Sequence, residues 1–181
     1  WLPGELEQIK NTPSDYSYTT WENYKQYVQD VSPRSTHDWN TWVIFLLAPD
    51  EIARPFLTDW PGTSLKDPLR VVARYELDAL PLMLRFTRAH PGAAAPYLMP
   101  YVDIDVARVH ATMFATRKNL RKPAMAWLVR HAEDAVALLV PDAVGPAGAQ
   151  RDHAAAALRA LARTTSRETV VDGANRYGPE A

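Results

Sequence analysis

Apolar side chains recur at helical spacing along most of the chain. The clearest run is a single stripe at positions i, i+3, i+4, i+7 and i+8, formed by Trp39, Trp42, Val43, Leu46 and Leu47. Such a stripe covers one face of an α-helix and predicts that this face packs against a core. No stretch shows the alternation of apolar and polar residues that is typical of a half-buried strand. The pattern therefore predicts an all-α protein.

Proline, glycine and capping residues divide the apolar stripes into about nine to eleven predicted helices. Residues 1–18 lack periodicity and are expected to be mostly loop with one short helical turn. The other predicted helices cover residues 20–30, 35–48, 50–60, 68–89, 91–100, 104–118, 122–131, 133–141, 149–163 and 166–177. Capping boxes are expected where Ser or Thr precedes an acidic residue by three positions, at Thr19, Ser35 and Thr165.

The long helix predicted at 68–89 contains a proline. Asp67 followed by Pro68 is typical of a helix start. Pro81 lies inside the helix and removes a backbone hydrogen bond, so we expect a kink or a break near Asp78.

A weak internal repeat joins the middle and the end of the chain. Four residues recur 41 positions later, namely His90, Ala94, Leu98 and Pro100 as His131, Ala135, Leu139 and Pro141. A period near 40 in a helical sequence is typical of HEAT or armadillo repeats, in which helix pairs stack because none can bury its apolar face alone. We therefore predict a HEAT/armadillo-like α-solenoid of stacked helical hairpins over residues 66–181, preceded by an aromatic-rich helical part over residues 1–65.

Composition excludes several classes of protein. The 181 residues carry a formal net charge of -1, so no global charge attracts nucleic acid or an anionic membrane. Cys is absent, which excludes disulfides, thiolate metal sites and a cysteine nucleophile. No apolar run is long enough to span a membrane, and no signal segment opens the chain, so cytoplasmic residence is expected.

Four segments carry a family resemblance. Residues 118–131, 139–145, 154–161 and 175–181 resemble the repeat region of large bacterial proteins that contain a domain of unknown function called DUF4132. Some members are described as molybdate-metabolism-regulator-like and some carry a WGR domain. The resemblance covers roughly residues 70–181. It implies helical repeats in a piece of a longer bacterial protein, and it brings no catalytic motif and no molybdenum-ligand pattern.

The last residues favour the same interpretation of a longer protein. Gly178 is a good helix stop, and Pro179 followed by Glu180 is typical of the first turn of another helix. We expect the natural protein to continue beyond Ala181.

The strongest candidate for metal or acid–base chemistry is Asp103 and Asp105 with His110. On one helix Asp105 and His110 lie five positions apart and point in different directions, so helix capping by the aspartates competes with ligation. The five histidines (His37, His90, His110, His131, His153) form no HxxxH or HExxH pair, and His90 and His131 are expected at helix ends. No metal, cofactor or catalytic residue is predicted.

A basic segment offers a possible phosphate contact. Arg117, Lys118, Arg121 and Lys122 place four cations within six residues. The segment also spans a predicted helix end, where basic side chains bind carbonyl groups, and it has no interleaved aromatic residues.

Aromatic residues are dense in the first third of the chain and are candidates for core or for a partner site. They are Tyr16, Tyr18, Trp21, Tyr24, Tyr27, Trp39, Trp42 and Trp60. At helical spacing such residues usually form core, and any that remain exposed are candidate contacts.

The function expected from these patterns is a non-catalytic scaffold that binds a partner protein or another domain of its own chain. The candidate apolar contacts are Trp60, Tyr97, Tyr101 and Trp127. One alternative is a regulatory or structural helical domain of an enzyme. Another is a nucleic-acid-binding solenoid that uses the basic segment at 117–122.

Overall fold

In a computed structural model of the chain, the described residues are 1–13, 20–28, 43–60 and 65–177. They form eleven α-helices joined by short 3-10 and π-helical segments, and no strand occurs among them. The all-α prediction is confirmed for this part of the chain. Within these ranges, no helix combines the length and the apolar composition needed to cross a membrane.

The chain divides into two compact units, Trp1–Pro100 and Tyr101–Ala181. The division lies between Pro100 and Tyr101, whereas the sequence pattern separates an aromatic part from a repeat-like part at residues 65 and 66. The first unit contains α1 (Glu5–Asn11), α2 (Trp21–Val28), α3 (Asp50–Asp59), α4 (Pro68–Tyr75), α5 (Leu80–Ala89) and α6 (Pro91–Ala94). The second contains α7 (Ile104–Thr116), α8 (Arg121–Arg130), α9 (Ala132–Ala143), α10 (Ala149–Thr164) and α11 (Arg167–Asn175).

An aromatic cluster forms the centre of the first unit. Phe45, on the π-helical turn Val43–Leu47, meets Trp60 edge-to-face at 5.7 Å and Tyr75 at 6.5 Å between ring centroids. Arg85 on α5 donates hydrogen bonds to the carbonyl oxygens of Trp60 and Leu57, at 3.2 and 2.7 Å. Because these carbonyls end α3, the guanidinium satisfies groups that the helix itself leaves unbonded.

The predicted break in the helix at 68–89 is confirmed. After α4 the chain forms a 3-10 segment at Glu76–Ala79, and α5 begins at Leu80 with Pro81 in its first turn. Proline has no backbone N–H, and the first turn of a helix needs none for its internal hydrogen bonds. The break therefore places the proline where it is tolerated. Glu76, which follows α4, has φ 48° and ψ -120°, so the backbone leaves the helical conformation at this residue.

Trp127 on α8 lies at the centre of the second unit and is fully buried. Its indole Nε1–H donates a hydrogen bond of 3.1 Å to the carbonyl oxygen of Tyr101. The indole ring lies parallel to the imidazole of His110 at 5.0 Å, and the ring of His131 is 5.1 Å away. The Trp127 side chain thus joins α8 to the segment before α7, to α7 itself and to the start of α9.

A partly buried ion pair connects the helices around this core. Arg108 on α7 donates two hydrogen bonds to the carboxylate of Asp142 on α9, at 2.8 and 2.9 Å. Gln150 on α10 donates a third, at 2.7 Å. The Arg108 guanidinium holds the pKa of the Asp142 carboxyl below its usual range, with Gln150 assisting. Bidentate arginine–carboxylate pairs of this kind fix geometry as well as adding stability.

The 41-residue repeat has a counterpart in local structure. Helix α5 spans Leu80–Ala89 and α8 spans Arg121–Arg130, which are the same positions shifted by 41. His90 and His131 each lie between two helices, and each accepts an N–H from the residue four positions later, at 2.9 and 2.7 Å between N and O. Both of the imidazole rings also contact an aromatic residue one turn earlier. The repeat thus describes a helix–histidine–helix segment, while its stacking into a solenoid remains a prediction.

Some predicted boundaries are corrected. Residues Glu5–Asn11 form a helix where mostly loop was expected, and Pro141 lies inside α9 instead of ending it. Ser166 caps α11 through the Glu168 N–H at 3.0 Å, in place of Thr165, whose hydroxyl donates back to the Leu161 carbonyl. The capping boxes expected at Thr19 and Ser35, and most of the helix expected at 35–48, lie outside the described residues.

Candidate protein-docking groove

Three of the four apolar residues expected to contact a partner are core residues. Trp60, Tyr101 and Trp127 are 2%, 3% and 0% exposed, so none of them presents a surface to a partner in this fold. Tyr97 is half-buried and stacks on Phe86 with 6.3 Å between ring centroids. Of the N-terminal aromatic residues expected in the core, Trp60 is buried, whereas Trp21 and Tyr24 are half-buried. Tyr16, Tyr18, Trp39, Trp42 and the side chain of Tyr27 lie outside the described part of the chain.

The predicted basic segment is exposed. Arg117, Lys118 and Lys122 make no ion pair with any carboxylate in the described ranges. Arg121 donates a 3.1 Å hydrogen bond to the Phe114 carbonyl oxygen and lies over the Phe114 ring at 5.7 Å. Its guanidinium satisfies a carbonyl near the end of α7, as expected for a basic residue at a helix terminus.

The acidic residues and histidine considered for metal or acid–base chemistry do not converge. Asp103 is the N-cap of α7, and its carboxylate accepts the N–H of Asp105 at 2.8 Å. His110 is fully buried on the opposite, core-facing side of α7. Within the described ranges, no three His, Asp or Glu side chains are grouped so that they could hold a metal ion. His37 lies outside the described residues.

Burial gives His110 an unusual environment. Neither ring nitrogen has a hydrogen-bond partner within the described part of the chain. Removal from water, together with a smaller effect of the nearby His131, lowers the pKa of the imidazole to about 3. A neutral ring stacked on Trp127 suits this apolar position, so His110 is a structural residue of the core.

An apolar groove crosses the surface formed by α9, α10 and α11. Each helix contributes one stripe of residues at helical spacing. These stripes are Val140, Ala143 and Val144 from α9 and the residue after it, Ala155, Leu158 and Ala162 from α10, and Val170, Val171 and Ala174 from α11. The cavity between them has a volume of about 340 Å³. Small alanine side chains on all three helices leave this space between the backbones.

A glycine and a tyrosine set the close approach of α11 to α9. A Cβ atom added at Gly173 would lie 2.3 Å from Cγ1 of Val136, so only glycine fits at this contact. Four residues later, the Tyr177 hydroxyl donates a 2.6 Å hydrogen bond to the carbonyl oxygen of Ala137 on α9. These two contacts hold α11 beside α9 and thereby fix one wall of the groove.

The edges of the groove combine exposed apolar side chains with cations. Val144 and Val171 are 51% and 44% exposed. Arg159 on α10 and Arg167 on α11 line the same cavity, and both are exposed. A surface with an apolar floor and a charged rim is typical of protein interaction sites.

Two other recesses are less suited to binding because their polar groups already bond within the protein. The recess of about 240 Å³ between α7, α9 and α10 holds the Arg108–Asp142–Gln150 cluster. In the first unit, a recess of about 350 Å³ is lined by Leu46, Leu47 and Arg74. There Arg74 donates to the carbonyl oxygens of Phe45 and Ala48 and pairs with Asp50, so its charge is compensated.

The groove was not predicted from the sequence, although the spacing of small and apolar residues contains a signal for it. The sequence places residues 154–161 in a predicted helix and in the DUF4132 resemblance, and neither predicts an open apolar face. Small and apolar residues occur at i, i+3 and i+7 in α10 (Ala155, Leu158, Ala162) and at i, i+1 and i+4 in α11 (Val170, Val171, Ala174). Such spacing marks one face of a helix, which either packs against the protein or remains open. Which of the two occurs depends on the tertiary arrangement of α9.

No family model, no curated protein and no solved structure matches this chain. The DUF4132 resemblance therefore stays a prediction.

Proposed function

We propose that this chain is a non-catalytic helical-repeat scaffold that binds a partner protein, or another domain of its own chain, through the groove between α9, α10 and α11. The observation that carries the proposal is the joining of three apolar helical stripes in one surface cavity of about 340 Å³. The molecule keeps Val144 and Val171 about half exposed on the edges of this cavity. Covering such side chains is favourable, since burial of apolar surface is the main driving force of association.

The rigidity of the groove supports the proposal. Its walls are helices held by the Gly173–Val136 contact and by the hydrogen bond from Tyr177 to Ala137. A preformed apolar site loses little conformational entropy when a partner binds, which favours affinity. The same surface would serve an enzyme whose catalytic domain docks on this helical domain, which is the regulatory alternative.

Nucleic-acid binding through Arg117, Lys118, Arg121 and Lys122 is the second candidate. It is favoured by three of these cations being exposed without carboxylate partners in the described ranges. Binding of this kind weakens steeply as salt rises, because it depends on the release of counterions. Binding in the apolar groove depends much less on salt.

Affinity capture with paired baits tests the proposal. Three baits are used to capture proteins from lysate of the native host at low and high salt. They are the chain itself, its Val144→Gln/Val171→Gln variant and a Val102→Gln/Val129→Gln control. Val102 and Val129 are matched controls, because they are 48% and 40% exposed and do not line the groove.

We expect a small set of proteins that survives high salt, persists with the control and disappears with the groove variant. Proteins that bind all three baits equally would contradict the proposal. Recovery of nucleic acid alone, removed by salt and by Lys118→Ala/Lys122→Ala, would favour the second candidate.

A further inference from the structure

We infer that the occupant of the α9–α11 groove is an amphipathic helix of a partner protein that carries carboxylates beside its apolar stripe. The inference rests on the proposed function and specifies the chemistry of the partner. It follows from the shape of the groove, from the secondary structure of its walls and from the cations on its rim.

The dimensions of the groove fit about two turns of helix. The residues that line the groove run from Ala155 to Ala162 on α10, from Arg167 to Ala174 on α11 and from Val140 to Val144 on α9 and the residue after it. Seven residues of helix rise about 10 Å, so the walls from α10 and α11 are each about two turns long, and the wall from α9 is about one turn long. A docked helix with apolar residues at i, i+3, i+4 and i+7 presents an apolar stripe of the same length.

The walls favour a helix over an extended segment. Helices satisfy their own backbone groups, so the walls offer no free edge to which a strand could add. An extended peptide buried here would leave N–H and C=O groups without partners, at a cost for each. A helical occupant satisfies its backbone internally and buries only side chains.

The rim carries cations at positions where a positive charge does not stabilise the isolated fold. Arg159 lines the groove, and Arg163, which does not line it, is exposed four residues later on α10, a spacing at which like charges repel. Arg167 is the first residue of α11, where the helix dipole disfavours a cation. In the part of the chain that the structure describes, no carboxylate forms an ion pair with any of the three.

This arrangement contrasts with the cations elsewhere in the second unit that pack against the protein. Arg108 is paired with Asp142, and Arg121 is bonded to a carbonyl. Within the described ranges, no carboxylate compensates the two cations that line the apolar groove, Arg159 and Arg167. Complementary charge on the partner would steer the encounter and fix its register, while a basic helix would be repelled.

Designed peptides test the inference directly. The probe is an 18-residue peptide, roughly five helical turns, with Leu at i, i+3, i+4 and i+7 in an alanine background and Glu beside the stripe. A matched peptide has Lys in place of every Glu, and a third keeps Glu but has Ala in place of every Leu. Binding to the isotope-labelled chain is followed by NMR at low salt, with the Arg159→Glu/Arg167→Glu variant and an Arg151→Glu control on exposed α10.

We expect the Leu–Glu peptide to shift resonances of α9, α10 and α11 and to bind about tenfold more tightly than the Leu–Lys peptide. The Arg159→Glu/Arg167→Glu variant should reverse this preference and bind the Leu–Lys peptide more tightly. The Arg151→Glu control should keep the original preference. Removal of the leucines should abolish binding.

Equal affinity for both leucine peptides, or no binding of either at millimolar concentration, would overturn the inference. So would self-association of the chain that shifts the same resonances, since the occupant would then be a second copy. The two proposals fail separately. If captured partners are lost with Val144→Gln/Val171→Gln but kept with Arg159→Glu/Arg167→Glu, the scaffold proposal stands and the acidic-helix inference falls.

Discussion

The contact between Gly173 and Val136 gives the sharpest test of the packing that builds the groove. Gly173 lies in the second turn of α11 and is buried against α9. In an exposed helix, replacement of Gly by Ala stabilises by about 1 kcal/mol because alanine loses less backbone entropy. Helix propensity alone therefore predicts that Gly173→Ala is stabilising.

The geometry predicts the opposite sign. An alanine Cβ would lie 2.3 Å from Val136 Cγ1 and 3.1 Å from Val136 Cβ. Carbon atoms prefer a separation of about 3.5–4.0 Å. Valine in a helix is nearly confined to one rotamer, so Val136 cannot turn aside and α11 must move. Overpacking of this kind costs about 1–3 kcal/mol of the free energy of unfolding. We expect a cost near the upper end of this range, because a short helix is displaced and also loses its hydrogen bond to Ala137.

The net expectation is a loss of about 1–2 kcal/mol in the free energy of unfolding for Gly173→Ala. Urea denaturation followed by circular dichroism measures it. In a Val136→Ala background the clash with Cγ1 is absent, so the same substitution should cost little. The double-mutant cycle should give a coupling energy of about 1 kcal/mol or more. A Gly173→Ala protein as stable as the parent, or an equal cost in both backgrounds, would refute the reasoning.

Three further predictions concern the core of the second unit. Burial keeps His110 neutral with a pKa of about 3, against 6.5 for an ordinary histidine. As pH falls below 6.5, the His110 imidazole therefore takes up a proton in the unfolded chain but stays neutral in the folded chain. Unfolding free energy should drop by up to about 1.4 kcal/mol per pH unit, and His110→Phe should flatten that slope in urea titrations from pH 7 to 4. Asp142→Asn should destabilise by about 1 kcal/mol at pH 7, because the Arg108 guanidinium loses its charged acceptor and solvent screens part of this partly exposed pair. Since the pKa of Asp142 is lowered in the fold, this difference should persist above the ordinary carboxyl pKa and disappear as acid protonates the folded carboxyl; equal stability at pH 7 would contradict it. Trp127→Phe should cost about 1–3 kcal/mol through loss of the bond to the Tyr101 carbonyl, yet leave partner capture by the folded protein unchanged; selective loss of capture would show that Trp127 is a contact after all.

Local features of this fold were predictable because they depend on neighbouring residues. The break before Pro81 follows from a missing N–H and a steric clash within one turn. Asp103 at the start of α7 follows from its short carboxylate and the free N–H groups beside it. The prediction that Thr165 caps α11 was wrong, and Ser166 is the cap. The two adjacent residues offer the same hydroxyl chemistry, so a shift of one residue in the helix start decides between them.

The candidate site was not predictable in the same way. Trp127 has the size and shape of an interface anchor, and only the placement of α7 and α9 around it makes it core. Conversely, Val144 and Val171 look like ordinary core positions of a periodic pattern, and they are exposed because no described element covers them. Exposure is a property of the assembled helices, so helical periodicity identifies apolar faces without telling which one remains open.

Site-specific photocrosslinking in cells of the native host tests the central claim most directly. A photoreactive benzoylphenylalanine replaces Val171 inside the groove or Val129 outside it, both of which are exposed positions on helices of the second unit. The account predicts one dominant protein adduct from position 171 that is absent from position 129. Adducts of the same protein from both positions, or from position 129 alone, would contradict a docking site in the groove.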